Sequence, residues 1–125
     1  MNLLLDTHIF LWFLDGSPRL KASIRQRIAE ADRVYVSAAS VWEAAIKSTV
    51  GKLDTGGADL VAEIALNGFI ELPVSGRHAA GVATLPAIHN DPFDRLLVAQ
   101  CLQEPLRLLT ADPLLPAYSP LVELV

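Results

Sequence analysis

Two rhythms of apolar residues alternate along this chain. Residues 2–5 (NLLL), 34–36 (VYV), 69–74 (FIELPV) and 106–110 (LRLLT) are short, nearly continuous apolar runs, the pattern of parallel strands buried on both faces. Residues 121–125 (LVELV) read as a fifth strand at an edge. Between these runs the spacing is helical. A helix follows Thr7, which is expected to cap HIFLWFLD, and Gly16 ends it. Ser17-Pro18 opens a second helix running to about Ala31, and Ser37 caps AASVWEAAIKST. A further helix from about Ala58 stops at Gly68, SGRHAAGVATL reads as a small-residue helix, and Asp91-Pro92 starts the last one, which Pro105 ends. Strands alternating with helices predict an α/β fold: a three-layer α/β/α sandwich around a parallel sheet of four to five strands, in a single domain over residues 1–125.

Winding each helix at about 100° per residue assigns its faces. Leu20, Ile24 and Ile28 turn to the core while Arg19, Arg25 and Arg27 are left as a solvated face. Ala39, Trp42, Ile46 and Val50 share one apolar side, Trp12 and Phe13 read as packing, and His78 falls on an exposed side. His8 fits either a site or the surface. In the helix after Asp91, Phe93, Leu96, Leu97 and Cys101 recur at helical spacing, and Asp94 lies with Leu97, Val98 and Cys101 rather than opposite them. A carboxylate aimed at an apolar face must be paired or bound to a cation.

Composition narrows the reading. Fifty-two per cent hydrophobic residues in 125 is enough for a true core and excludes disorder. No signal-peptide or membrane-spanning pattern is expected, and a single cysteine, Cys101, forbids an internal disulfide and any multi-cysteine zinc site. A reducing, cytoplasmic home with Cys101 as a buried inert thiol follows as the expectation. The net charge of −4 argues at first against nucleic acid. Setting aside Asp6, Glu43, Asp91, Asp94 and Asp112, however, leaves nine of the fourteen acids against ten bases. The excess is concentrated in a few candidate site residues.

Those residues converge if the topology holds, because right-handed crossovers put the C-terminal ends of all parallel strands on one edge. Asp6 and Asp112 follow two such ends, Asp94 starts a neighbouring helix, and Glu43 lies a turn and a half into the helix after the second strand. Each has a local alternative: Asp91 and Asp112 precede prolines as helix caps do, Asp94 complements a helix dipole, and Glu43 stands four residues before Lys47 as an ion pair. Clustered carboxylates repel one another unless a cation is present, and oxygen-only donors favour Mg²⁺, with Mn²⁺ as substitute, over zinc. Such a centre suits metal-assisted phosphodiester hydrolysis. Three rival readings remain: a covalent-aspartate phosphatase, which would want an acid where His8 stands; a metal-independent ribonuclease using two of His8, His78 and His89; and a non-catalytic metal-binding α/β interaction module.

The blocks LLLDTHIFLW, VSAASVWEAAIK, HNDPFDRLLVAQ and LLTADPLLPAY, in that order, resemble the PIN domain, specifically the VapC-type toxins of bacterial toxin–antitoxin modules. The resemblance spans nearly the whole chain. It implies that Asp6, Glu43, Asp94 and Asp112 are the catalytic and metal-holding acids, that Thr110 accompanies the last of them, and that Asp91 is an additional acid. Thr7 and Thr110, with Asp91, are candidate supporting residues. It further implies a ribonuclease cutting structured RNA to leave 5′-phosphate and 3′-hydroxyl ends, a cognate antitoxin, Phd-like or AbrB-like, covering the active-site edge, and a toxin homodimer.

Overall fold

Leu3, Leu4 and Leu5 form the middle of the sheet, and none is more than 2% exposed. In the computed structural model, which describes residues 1–125, β1 (Leu3–Leu5) lies between β2 (Val34–Ser37) and β4 (Arg107–Thr110). β3 (Ile70–Leu72) and β5 (Val122–Leu124) form the two edges. All four pairings are parallel, in the order β3-β2-β1-β4-β5. The chain thus builds outward from β1 to one edge and then restarts on its other side. That reversal opens a crevice beyond the C-terminal ends of β1 and β4.

Six helices cover the sheet: α1 (Thr7–Asp15), α2 (Ala22–Glu30), α3 (Ala38–Thr49), α4 (Leu60–Leu66), α5 (Gly76–Gly81) and α6 (Pro92–Gln103). Successive β1 side chains point to opposite faces and so enter different cores. Leu3 and Leu5 join Ile9, Phe10, Ile28, Ile64 and Phe69 on one face; Leu4 joins Leu97, Val98, Cys101, Leu108 and Leu115 on the other. The α/β/α sandwich expected from the alternation of runs is the architecture found, with all five strands present. No helix is long and apolar enough to cross a membrane.

Several local expectations are corrected. The second helix starts at Ala22, not after Pro18, with Lys21 at a cap position that makes no side-chain bond. Residues 17–20 instead form a turn that buries Leu20 and leaves the Ser17 carbonyl facing Arg25. Arg25 is not solvated: its guanidinium donates to the carbonyls of Trp12, Phe13 and Ser17, tying α2 to the end of α1. Arg27 pairs bidentately with Glu123 of β5. The single helix expected over SGRHAAGVATL is α5 followed by a 3₁₀ turn, Val82–Thr84. His78 is buried rather than exposed, because its Nδ1 accepts from Ser75 N in a capping box and its Nε2 meets Glu104 at 2.6 Å.

The largest departure is in α3. Its buried residues are Ala39, Ser40, Glu43 and Ala44, whereas Trp42 is 58% and Val50 61% exposed, with Ile46 also outside. Helical spacing grouped Ala39 with Trp42, Ile46 and Val50, but Ala39 is 2% exposed and lies with Ser40, Glu43 and Ala44 on the buried side, since spacing alone cannot say which side of a helix faces inward. Trp42 finds one aromatic neighbour, Phe93, edge to face at 5.0 Å. These placements predict opposite outcomes for two aromatic truncations. Phe10→Ala, at 1% exposure, is expected to cost about 3–5 kcal/mol in urea unfolding, and Trp42→Ser less than about 1 kcal/mol.

Candidate active site

Sheet register decides which acids meet. Leu5 lies opposite Val36 on one side and Leu109 on the other, so Asp6, Ser37 and Thr110 come next, side by side, at the C-terminal edge. Asp6 N–H donates to the Leu109 carbonyl (3.0 Å), which fixes the start of the crossover.

Asp6, only 5% exposed, is held at both oxygens. Oδ1 accepts from Ile9 N (2.8 Å), so Asp6 and not Thr7 caps α1. Oδ2 accepts from the Thr110 hydroxyl (2.6 Å) and from Ala111 N (3.4 Å). Burial outweighs those bonds and raises the Asp6 carboxyl above the ordinary carboxylate range. Thr7, freed from capping, directs its hydroxyl to Glu43 Oε1 (2.6 Å) and shares a bond with the Ser40 hydroxyl (2.9 Å).

Glu43 is 3% exposed, and its Oε2 meets Lys47 Nζ at 2.5 Å. The ion pair read from their four-residue spacing is present, but one partner is buried. This is the physical reason α3 turns its apolar stripe outward: delivering Glu43 to the sheet edge places Trp42 and Ile46 on the solvent side. The bond to Glu43 in turn raises the Lys47 pKa.

Asp91 caps α6, its Oδ1 accepting from Phe93 N (2.8 Å) and Asp94 N (3.2 Å). Asp112 Oδ1 accepts from Leu114 N (2.9 Å), its Oδ2 meets His89 Nε2 at 2.7 Å, and its own N–H donates to Thr110 Oγ1 (3.0 Å). The capping alternative is therefore real for Asp91 and compatible with a place in the cluster, whereas Asp112 closes only a local turn, the following 3₁₀ turn starting from Leu114 without a side-chain cap. Asp94 differs from every other acid here. Its side chain, 20% exposed, accepts no hydrogen bond, and its nearest partner is His89 Nε2 at 3.6 Å. Burial, and then the negative charges of Asp91, Glu43 and Asp6, push its carboxyl up to about 7, with His89 opposing.

All five acids line one open cleft of about 510 Å³ at the switch point. Its rim carries His8, Arg19 and Lys47, and the Trp12 ring lies under the Arg19 guanidinium at 5.8 Å. Thr7 and Thr110 reach the cleft through the carboxylates they hold. His78 is engaged elsewhere, with Ser75 and Glu104, and takes no part in the cleft. Cys101 is buried and its thiol is pushed up to about 11 by that burial, as expected of an inert packing residue. Two placements were not legible in the sequence, that of His89, named only as a candidate for imidazole chemistry, and that of Tyr118. His89 bridges towards Asp94 and Asp112, for which its place two residues before Asp91 was the one available hint. Tyr118 receives His89 N–H on its hydroxyl (2.8 Å), a contact between residues 29 apart.

The donor set fits a hard divalent cation. Carboxylate oxygens dominate it, with His89 Nε2 beside those of Asp94 and Asp112, and Asp94 presents its oxygens to the cleft with no protein donor satisfying them.

Fold and cleft together define the class: a parallel α/β protein with an acidic cluster, buried at Asp6 and Glu43 and half-buried at the other acids, at its switch point. The PIN-domain family model matches residues 3–119, and the chain belongs to that family. Among curated protein sequences none matches it. Among solved structures it is similar to VapBC2 from Rickettsia felis bound to a DNA fragment from its promoter, with TM-score 0.72 and 16% identity over 100% of this chain and 98% of that one. It is also similar to a toxin–antitoxin complex from Klebsiella pneumoniae, with TM-score 0.68 and 19% identity over 97% and 95%. FitAcB from Neisseria gonorrhoeae matches with TM-score 0.56 and 25% identity over 88% and 87%.

The state of Asp94 generates a stability prediction. Its folded-state pKa lies above the unfolded value, so folding binds a proton here. The resulting penalty is absent below about pH 4, grows as pH rises towards 7 and is complete above it. In chelator, Asp94→Asn is therefore expected to stabilise the fold at pH 8 by on the order of 2–4 kcal/mol, and by almost nothing near pH 4. Urea titrations at the two pH values measure the difference.

Proposed function

We propose that this chain is the toxin of a toxin–antitoxin pair, an endoribonuclease that hydrolyses RNA phosphodiesters with Mg²⁺, or Mn²⁺ in its place. The observation carrying this reading is the Asp94 carboxylate, surrounded by Asp91, Glu43 and Asp6 and lacking any hydrogen-bond donor. Such a group calls for an external cation.

Asp6, Asp94 and Asp112 would hold the ion, with Glu43 on the adjoining wall and Asp91 behind the start of α6. A divalent ion there supplies positive charge to the scissile phosphate and makes an attacking water more acidic. The residues supply position. Thr110 and the backbone of Ile9 and Ala111 clamp Asp6 at the strand tip, so its orientation needs no reorganisation when substrate arrives. Thr7 and Lys47 hold Glu43 across the cleft. Lys47 and Arg19 at the rim offer cationic contacts to the phosphates flanking the scissile bond, in a chain whose overall charge is otherwise unhelpful for RNA. Hydrolysis would leave 5′-phosphate and 3′-hydroxyl ends.

Partners follow from the same reading. The similar structure from Klebsiella pneumoniae is a toxin–antitoxin complex, and that from Rickettsia felis is VapBC2 bound to a DNA fragment from its promoter. A cognate antitoxin, Phd-like or AbrB-like, would cover the acidic edge in the cytoplasm. The outward stripe of Trp42, Ile46 and Val50 beside the cleft is the sort of apolar surface that a second copy in a homodimer would bury.

Cleavage of total RNA in Mn²⁺, assayed with and without EDTA, tests the proposal. Activity should disappear in EDTA, and Asp6→Asn and Asp94→Asn should each reduce it by more than about 100-fold with unchanged circular dichroism. Persistent cleavage in EDTA would point to metal-independent chemistry. Absence of turnover by the wild-type protein on any RNA would favour a non-catalytic metal-binding module.

A further inference from the structure

We propose that His89 is a positioning residue of this centre, an Nε2–H donor that aims the Asp112 carboxylate at the cation, and not itself a ligand. The inference rests on the cation-dependent reading given above. By distance alone a ligand role would be attractive. His89 Nε2, one Asp94 oxygen and one Asp112 oxygen all lie within 4.8 Å of one another. Neighbouring donors around an octahedral ion with bonds of about 2.1 Å are roughly 3 Å apart, and Nε2 is 2.7 Å from Asp112 Oδ2 and 3.6 Å from Asp94 Oδ2.

The other ring nitrogen decides against it. Asp91 N–H donates to His89 Nδ1 at 2.9 Å, which leaves no room for a proton on Nδ1. The ring proton therefore sits on Nε2, pointing at Asp112, and Nε2 has no lone pair to offer a metal. A metal-binding histidine shows the opposite arrangement, donating its second N–H outward to a carbonyl or carboxylate.

The ring is also held too firmly for an easy change of role. His89 N–H donates to the Tyr118 hydroxyl, and Arg95, from the first turn of α6, donates to Tyr118 Oη (3.1 Å) and to the carbonyls of Pro86 (2.9 Å) and Val82 (3.1 Å). The fan of bonds from Arg95 makes residues 82–89 a rigid bracket for one imidazole. With Leu114 N on Oδ1 and His89 on Oδ2, the Asp112 carboxylate is fixed about both axes while keeping a free lone pair on each oxygen.

Mn²⁺ binding separates the two roles without reference to RNA cleavage. Pulsed electron paramagnetic resonance of the Mn²⁺-loaded wild-type protein should show no directly bound imidazole nitrogen. Calorimetric titration with Mn²⁺ should find affinity lowered about 10–100-fold in His89→Ala and largely recovered in His89→Gln, whose amide N–H reaches the same point. Strong nitrogen coupling in the wild type would overturn the proposal, as would unchanged affinity in His89→Ala or equal losses in both variants. Wild-type protein that binds no Mn²⁺ at all would remove the cation-dependent reading, and this inference with it. Should His89→Ala fail to fold, the wild-type spectrum and His89→Gln still decide.

Discussion

Everything near the cleft depends on one electrostatic constraint: several carboxylates are drawn into a space where water cannot solvate them fully. Taking an anion out of water costs several kcal/mol unless donors or a countercharge replace the lost hydration. The protein answers this one acid at a time. Asp6 receives a hydroxyl and two backbone N–H groups, Asp91 two N–H groups at a helix start, Asp112 an N–H and an imidazole, and Glu43 a hydroxyl and an ammonium. Asp94 receives none. The cluster is thus rigid on four sides and open at one, which is what a preformed cation site requires.

That constraint reaches into the packing of whole helices. Burying Glu43 against the sheet edge sets the rotation of α3, and the cost is an apolar stripe turned to solvent. A protein optimised only for its own stability would bury Trp42 and expose Glu43. The opposite choice shows that satisfying Glu43 at the cleft outweighs the free energy left unused in that stripe. The same logic explains the density of bonds around Arg95 and Tyr118. The carbonyls of Val82, Leu85 and Pro86, in the 3₁₀ turn and the loop that follows it, converge on one guanidinium from α6.

The fold makes such economy workable. Because all strands are parallel and the order reverses at β1, residues adjacent to the tips of β1 and β4 meet although more than a hundred positions separate Asp6 from Thr110. Their shared hydrogen bond both closes the centre of the sheet and orients the first acid. The stability of the sheet and the geometry of the acidic cleft therefore draw on the same side chains here.

Much of this was legible in the amino-acid order. Uninterrupted apolar runs such as Leu3–Leu5 can be satisfied only between two layers, so a parallel sheet covered on both faces follows from the chain itself, as does the arrival of Asp6 and Asp112 at one edge. The inward aim of Asp94 also followed, since helical spacing places it relative to neighbours three and four residues away. Tertiary structure alone decided what depends on partners far along the chain. Spacing assembles Trp42, Ile46 and Val50 into a face but has no way to weigh that face against Glu43, whose demand comes from acids on other elements. For the same reason His78 proved buried, Arg25 tethered, Asp6 rather than Thr7 the cap, and His89 a neighbour of Asp112. Local periodicity carries the geometry of a single element, whereas charge and hydrogen-bond partnership are settled only when the elements meet.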